Sequence, residues 1–243
     1  MSAQVWSNVR AFVNGYDFSG DINAVALKYG AELKDATSML DTARQRRPGL
    51  KDTQLQLEGY VNYGTLLQDD QAFSAVGAND AVVSILPVGA GAEGNTGFCF
   101  IADGADYTPN AKIGDMLAYS LSANGSDELV HGTVMINAAK TSSGNGTGFQ
   151  LGALAANKKA LAALHVLALT SGGSPSFTLK LQSGSSGAFS SPTDYTVFSA
   201  MNAVGAQYAT VATGPVSDTW WRVAYTLTNI SSITFAVVLG FQP

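Results

Sequence analysis

Apolar and polar residues alternate with a period of two along much of this chain, and the runs are short. Gln54-Leu-Gln-Leu-Glu-Gly-Tyr-Val61 and Phe177-Thr-Leu-Lys-Leu-Gln182 are the cleanest cases, each the signature of a half-buried strand. Val5–Val13 reads as a first strand, closed by the turn dipeptide Asn14-Gly15. A second extended run covers Ile22 to about Leu33, with its apolar face switching near Leu27 and Tyr29. Further strands are expected at Ala81–Leu86, Gly97–Ala102, Met116–Ala123 and Leu129–Asn137. Later candidates are Tyr195–Phe198, Ala206–Val211, Trp220–Thr228 and Ile233–Phe241. Ala160–Leu169 fits a helix through Leu161, Leu164 and Ala168, or a buried strand through Val166-Leu-Ala-Leu-Thr170. Strand is preferred because its surroundings are β. One helix is predicted over Thr65–Val76, with Thr65 as its cap, Leu66, Phe73 and Val76 near one face, and Gly77 as its end.

These elements predict a mainly β protein. A N-terminal β-sandwich or small barrel carrying one helix is followed by a C-terminal β-sandwich, for which an eight-strand jelly roll is the natural count. Thr141–Gly148 is built of small residues without apolar periodicity, as a linker would be. The expected division is therefore 1–143, a linker at 144–148, and 149–243. Charge changes at the same place. Residues 1–143 hold 9 Lys and Arg against 16 Asp and Glu, a net −7, whereas 144–243 hold 4 against 2, a net +2.

The 243 residues, 46% of them hydrophobic, suffice for real cores, and 26 glycines suit many turns. A net charge of −5 gives no general basic footprint for nucleic acid. Cys99 is the single cysteine, so no intrachain disulfide forms, and its run Phe98-Cys-Phe-Ile101 marks it as a core residue. No signal-peptide pattern opens the chain, and no run approaches the ~18 apolar residues of a membrane helix. Assembly in a cytoplasm, without a membrane, is the expectation.

Catalytic and cofactor motifs fare poorly. Gly89-Ala-Gly-Ala-Glu-Gly94 has the GxGxxG form, yet the next segment reads as a strand, leaving no helix N-terminus to face a pyrophosphate. A hairpin tip explains these glycines better. His131 and His165 fall in different expected domains, and no HxH, HExxH or CxxC spacing exists. Asp69-Asp70 would point about 100° apart on a helix and so not converge. Asp103, Asp106 and Asp115 surround a Pro/Gly-rich segment but lack a calcium-loop pattern. No enzyme, cofactor or metal is needed to explain the residues. Trp220-Trp221-Arg222 is the densest aromatic point of the second half. In a strand one indole enters the core, and the other is either a surface contact or covered.

The most charged stretch runs Asp41-Thr-Ala-Arg44-Gln-Arg46-Arg47-Pro48-Gly49-Leu50-Lys51-Asp52, in a chain with only 13% charged residues. Its Pro-Gly breaker and flanking strands predict a projecting loop. Its guanidinium groups suit carboxylates or phosphates on a partner, although a solvated loop would look the same.

Asn14-Gly-Tyr-Asp-Phe-Ser-Gly-Asp-Ile22, Asp41-Thr-Ala-Arg44, Arg47-Pro-Gly-Leu-Lys-Asp52 and Leu57-Glu-Gly-Tyr60 together resemble major tail tube proteins of long-tailed bacteriophages. Tyr107-Thr-Pro-Asn-Ala-Lys-Ile-Gly-Asp115 and Leu129-Val-His-Gly-Thr-Val134 agree in kind. The resemblance spans roughly residues 8–138 and leaves 149–243 as an added outer domain. It implies a virion structural protein that forms rings, hexameric in that family, stacked into a tube with other tail proteins. Genome DNA passes through the lumen without specific binding. Asp41, Arg44, Arg46, Arg47, Pro48, Gly49, Leu50, Lys51 and Asp52 would form the stacking loop. The acid excess of the first half would let DNA slide, since phosphate contacts would hold it. The alternatives are a capsid decoration or cement protein, and a carbohydrate-binding module with Trp220 or Trp221 as its platform.

Overall fold

A computed structural model describes Trp6 and residues 8–40, 42–64 and 67–242. In chain order the strands are β1 (Arg10–Val13), β2 (Tyr16–Asp17), β3 (Ile22–Asp35) and β4 (Arg46–Tyr60), followed by helix α1 (Gln68–Ala75). Then come β5 (Ala81–Leu86), β6 (Thr96–Asn110), β7 (Ala118–Gly125), β8 (Val130–Lys140), β9 (Gly144–Asn145) and β10 (Phe149–Gln150). The last are β11 (Lys159–Gly184), β12 (Thr193–Tyr195), β13 (Gly205–Thr213) and β14 (Trp220–Phe241). Among the described residues the protein is mainly β with one α-helix, as its periodicity predicts. Val5, the expected start of the first strand, lies outside the described residues.

Two compact units form, and they are not consecutive halves. The first takes the chain through Gly20, Val82–Phe100, and everything from Val130 onward, and the second takes Asp21–Ala81 and Ile101–Leu129. Strand pairing is the reason. β8 pairs with β14 over Gly132↔Gly240 to Lys140↔Ile233, so a strand expected in the N-terminal domain is hydrogen-bonded to a C-terminal one, and β1 and β5, paired with each other, lie in the same unit. Residues 144–148, expected to be a linker, sit inside the first unit. Asn145 pairs with Ala224, Gly146 N–H donates to the Val223 carbonyl, and Thr147 Oγ1 donates to Glu93. The charge step survives this redrawing. The second unit holds 7 Lys and Arg against 14 Asp and Glu, a net −7, and the first holds 6 against 4, a net +2.

The first unit is organised by a long antiparallel ribbon of β11 and β14, paired from Ala160↔Phe241 to Gly184↔Trp220. Register shifts between Ser171 and Ser176, opposite Ile230–Thr228, break the ribbon into two halves. Gly173, with φ 109°, lies within the break, where a side chain would be strained. Apolar residues from both halves share one core. Phe177 meets Phe235 at 4.9 Å between ring centroids, and Tyr225 meets Phe235 at 5.2 Å. The first half of β11 is buried on both faces. Ala160, Ala162, Leu164 and Val166 enter that core, whereas Leu161 and Ala163 join Phe12, Val82, Leu86, Cys99 and Val238 on the other side. Double-sided burial accounts for the unbroken apolar run that periodicity alone left ambiguous.

His165 lies on that second face, fully buried. Its Nδ1–H donates to the Asn14 carbonyl (2.7 Å), which leaves Nε2 to accept from the Ser84 hydroxyl (2.8 Å). The Asn14 acceptor fixes this tautomer. Both His131 and His165 belong to the first unit. The Gly89–Gly94 stretch forms a single 3-10 turn at Gly89–Gly91 between β5 and β6, and no helix follows it. Asn137 Nδ2 donates to the Ala90 and Gly91 carbonyls, and a Cβ on Gly91 would lie 2.3 Å from Leu86. These glycines serve close packing of a pinned turn.

The second unit is a sheet of β3, β4, β7 and the later part of β6, with α1 against it. Thr53, Leu55 and Leu57 of β4 turn inward with Tyr119 and Leu121 of β7. Gly59 is required there, because a Cβ would come within 1.9 Å of the Asp21 carbonyl oxygen. Helix α1 is shorter than expected. Its cap position is Leu67, with no side-chain capping bond, and the expected cap Thr65 and face residue Leu66 lie outside the described residues. Gln68 and Ala72 are the buried positions, while Phe73 and Val76, expected to share the packing face, are exposed. The C-terminal end of the helix rests on β6, where Gly104 admits the Ala75 carbonyl and exchanges hydrogen bonds with Gly77 and Ala78.

Candidate functional site

The candidate site is the β3–β4 hairpin of the second unit. Near its base it belongs to the sheet, since β4 pairs with β7 from Tyr60↔Ala118 to Gln54↔Asn124. Beyond Gln54 this neighbour ends, and the hairpin continues as two strands alone, through Tyr29↔Thr53 to Asp35↔Arg46. The alternating burial of β4 stops there too, and residues 46–52 are all exposed. A two-stranded ribbon is marginal in water by itself, so the bonds that hold this one matter.

Two sets of contacts do so. At mid-length Lys51 forms an ion pair with Glu128 and lies 5.8 Å over the Tyr29 ring, and the Tyr29 hydroxyl reaches Glu128. Glu128, then Tyr29, raise the Lys51 pKa. At the tip the Thr37 amide and hydroxyl both donate to Asp35 Oδ1 (2.9 and 2.6 Å), and Gln45 N–H donates to Thr37 Oγ1 (2.9 Å). The Thr37 bonds, side chain first, lower the Asp35 pKa. Ala36 N–H closes the tip on the Gln45 carbonyl. What projects is therefore a β-hairpin with a tip at 36–45.

This corrects the expected loop over 41–52. Arg46, Arg47, Pro48, Gly49, Leu50, Lys51 and Asp52 lie on strand β4, Arg44 lies in the tip, and Asp41 is outside the described residues. Pro48 does not end the strand because the far part of β4 has a neighbour on one side only, where a missing N–H is tolerated. Gly49 packs its backbone on Glu32, with a would-be Cβ 3.3 Å from the Glu32 carbonyl. Among the described residues the ion pairs are made by Arg10, Lys34, Lys51 and Lys180, and the guanidinium groups of Arg44, Arg46 and Arg47 take part in none.

The hairpin also displays apolar side chains, which the charge pattern concealed. Leu33, Met39, Leu40 and Leu50 are exposed, Met39 completely at 105%. Elsewhere in the unit Tyr63, Phe73, Ile113 and Met116 are exposed as well. Of the fourteen exposed large apolar residues among those described, twelve belong to the second unit, little more than a third of the chain. Their signal in the sequence was weak, because exposure of an apolar residue in a strand depends on whether a neighbour covers it.

Other sequence candidates are placed as follows. Trp221 is fully buried, donates from Nε1 to the Gly152 carbonyl (3.2 Å) and stacks on Tyr195 at 5.7 Å. Trp220 points the other way and is half-buried, its ring packed on Gly187. The pair therefore offers no open two-indole platform. Asp69 accepts from the Tyr107 hydroxyl, whose pKa is raised by burial first and by Asp69 second. Asp103 accepts from the Asp80 amide, and Asp106 from the Ser122 hydroxyl. Among the described residues no group of three or more His, Cys, Asp or Glu is placed to hold a metal ion, and no helix is long and apolar enough to cross a membrane.

No protein-family model matches the chain, and no curated protein matches it. Solved structures with similar chain paths exist. The SPP1 Dit protein, described as a paradigm of the hub adsorption apparatus in phages infecting Gram-positive bacteria, is 12% identical. The similarity covers 97% of this chain and 99% of that one, with a TM-score of 0.41. A chain of the native gene transfer agent virion is 13% identical, covering 53% of this chain and 98% of its own, with a TM-score of 0.40. A chain of the anti-feeding prophage tube-terminating cap is 11% identical, covering 55% and 93%, with a TM-score of 0.43. None of these three reaches a TM-score of 0.5.

Proposed function

We propose that this protein is a structural subunit of a phage tail, built to associate with copies of itself, and that its second unit carries the contacts. The observation that carries the reading is the concentration of exposed apolar side chains in that unit, among them Leu33, Met39, Leu40 and Leu50 on a hairpin whose three arginines form no ion pair among the described residues. Monomeric proteins seldom display so much apolar surface without a partner to cover it. The ordered sequence series from Asn14 to Val134 that resembles tail tube proteins supports the same reading.

The hairpin of one subunit reaches the next. Leu33, Leu50 and the tip residues Met39 and Leu40 bury their surface there, and Arg44, Arg46 and Arg47 pair with carboxylates of that neighbour. The neighbour is well supplied, since its own second unit carries 14 acidic residues. Such a contact is heterologous, so it closes into a ring or repeats along an axis. Rings of six, stacked into a tube with other tail proteins, are the form the family resemblance implies. A net −7 on the associating unit leaves a lumen that does not hold DNA.

Negative-stain micrographs and sedimentation of the purified protein test the reading. Wild-type protein is expected to form rings or tubes. The triple variant R44E/R46E/R47E is expected to keep its circular dichroism spectrum and to shorten stacked assemblies at least tenfold. Full-length tubes from that variant would remove the hairpin from its role. A wild-type protein that stays monomeric across concentration and salt, with no place in any particle, would end the proposal. Binding to a preformed capsid lattice without self-assembly would replace it with the decoration-protein reading.

A further inference from the structure

Away from the hairpin, within the first unit, the outer halves of β11 and β14 present a polar sheet face between β9 and β12. Register places its residues in rows. Asp194, Gln182 and Arg222 are cross-strand neighbours, and so are Lys180 and Ala224 with Asn145 beside them. Against the face lies an open groove of about 690 Å³, within the range of small-molecule sites. Its lining differs from the usual apolar pocket. Polar groups make up about half of its surface, supplied by Asn145, Thr178, Lys180, Gln182, Arg222 and Thr226 among others. Such a lining favours a ligand that is itself rich in hydroxyl groups.

Arg222 is the prepared element. Its guanidinium lies 4.3 Å from the Phe189 ring centroid, and its Nε donates to Gln182 Oε1 (2.7 Å). Gln182 is held in turn by donating to Asp194 Oδ1 (2.6 Å), and Asp194 pairs with Lys180. Lys180 thereby has its counter-charge. Arg222 forms no close ion pair among the described residues, although its charge, after that of Lys180, helps to lower the Asp194 pKa, and its two Nη groups make no hydrogen bond there. The support beneath it is costly. Phe189 is buried with φ 48°, a left-handed conformation that bulky residues rarely adopt. Its ring occupies space that exists only because residues 148 and 184 are glycines, with would-be Cβ atoms 2.5 and 3.0 Å from the ring. A strained aromatic shelf, two glycines and a fixed guanidinium make a fork aimed at a planar anion, and the stacking lowers the entropy lost on binding.

We infer that this groove is a binding site for an acidic saccharide, its carboxylate taken by the Arg222 Nη groups and its hydroxyls by Asn145, Thr178 and Thr226. The site is separate from the hairpin, and self-association neither requires it nor is required by it.

Saturation-transfer NMR on the purified full-length protein tests the assignment with tetragalacturonate, a hyaluronan tetrasaccharide and sialyllactose, and with lactose as the neutral control. At least one acidic saccharide is expected to receive transfer at millimolar concentration, with lactose at least tenfold weaker. Arg222→Gln is expected to reduce the effect at least tenfold. Thr226→Trp, which fills the groove from an exposed position without touching the Arg222 network, is expected to do the same and guards against a folding failure of the first variant. No transfer to any acidic saccharide, equal transfer to lactose, or full binding by Thr226→Trp would overturn the assignment. So would displacement by equimolar inorganic phosphate, which would leave an anion site without sugar recognition.

Discussion

Acidification should destabilise this protein through one buried residue. His165 is fully buried, and burial pulls its pKa down from 6.5 to about 4, against a smaller upward pull from the Asn14 carbonyl. Its ring is neutral in the folded state, with both nitrogens in use. In the unfolded chain the same imidazole takes a proton near pH 6.5. The sign follows from which state binds protons more readily. Above about pH 6.5 neither state is protonated and the full stability is present. As pH falls from about 6.5 to about 4, only the unfolded state gains a proton, and stability is lost. Across these two values the loss approaches ~3 kcal/mol, and at pH 4.5 it amounts to about 2.5 kcal/mol. Asp35 and Asp194, whose pKa values are lowered below 3.8, hold their contribution above that value and lose it only at lower pH, outside this window. Urea unfolding at pH 7.5 and 4.5, at fixed ionic strength and protein concentration, measures the difference. His165→Gln keeps an amide donor for Asn14 and removes the titration. Wild type should lose about 2.5 kcal/mol more than the variant between the two pH values. Parallel losses in both proteins would mean that His165 accepts a proton in the folded state, and the buried-neutral assignment would be refuted.

The two tryptophans should separate cleanly. Trp221→Ala removes a fully buried indole and its bond to Gly152, at a cost of roughly 3–5 kcal/mol, whereas Trp220→Ala should cost about 1 kcal/mol. Thermal melts of both variants decide it, and equal losses would contradict the facing given to the pair. Cys99 is buried and its thiol is pushed up to about 12 by burial, so iodoacetamide should modify it only after unfolding. Labelling of folded protein at pH 8 within minutes, read by mass spectrometry, would show that the core opens.

The positions of the strands are a local matter, and the sequence alone settled most of them. Alternation at Gln54–Val61 and Phe177–Gln182, the apolar block at Ala81–Leu86, and turn signals such as Asn14-Gly15 depend on neighbours a few residues away. The charge imbalance and the arginine cluster could be read directly as well. Partnership between strands was decided only in three dimensions, because a period of two says which face is apolar and nothing about which strand lies alongside. Hence β8 paired with the C-terminal ribbon, β1 and β5 entered the same compact unit, and Gly144–Asn145 became a strand against β14. Pairing also set the character of the candidate site. Arg46–Asp52 became strand because residues 30–35 of β3 lie opposite, and Leu33 and Leu50 stayed exposed because the pairing of β7 with β4 ends at Gln54↔Asn124. Arg222 was visible only as a charge beside two tryptophans. Its fork exists because cross-strand register sets it next to Gln182, and because Gly148 and Gly184 leave space for the Phe189 ring beneath it.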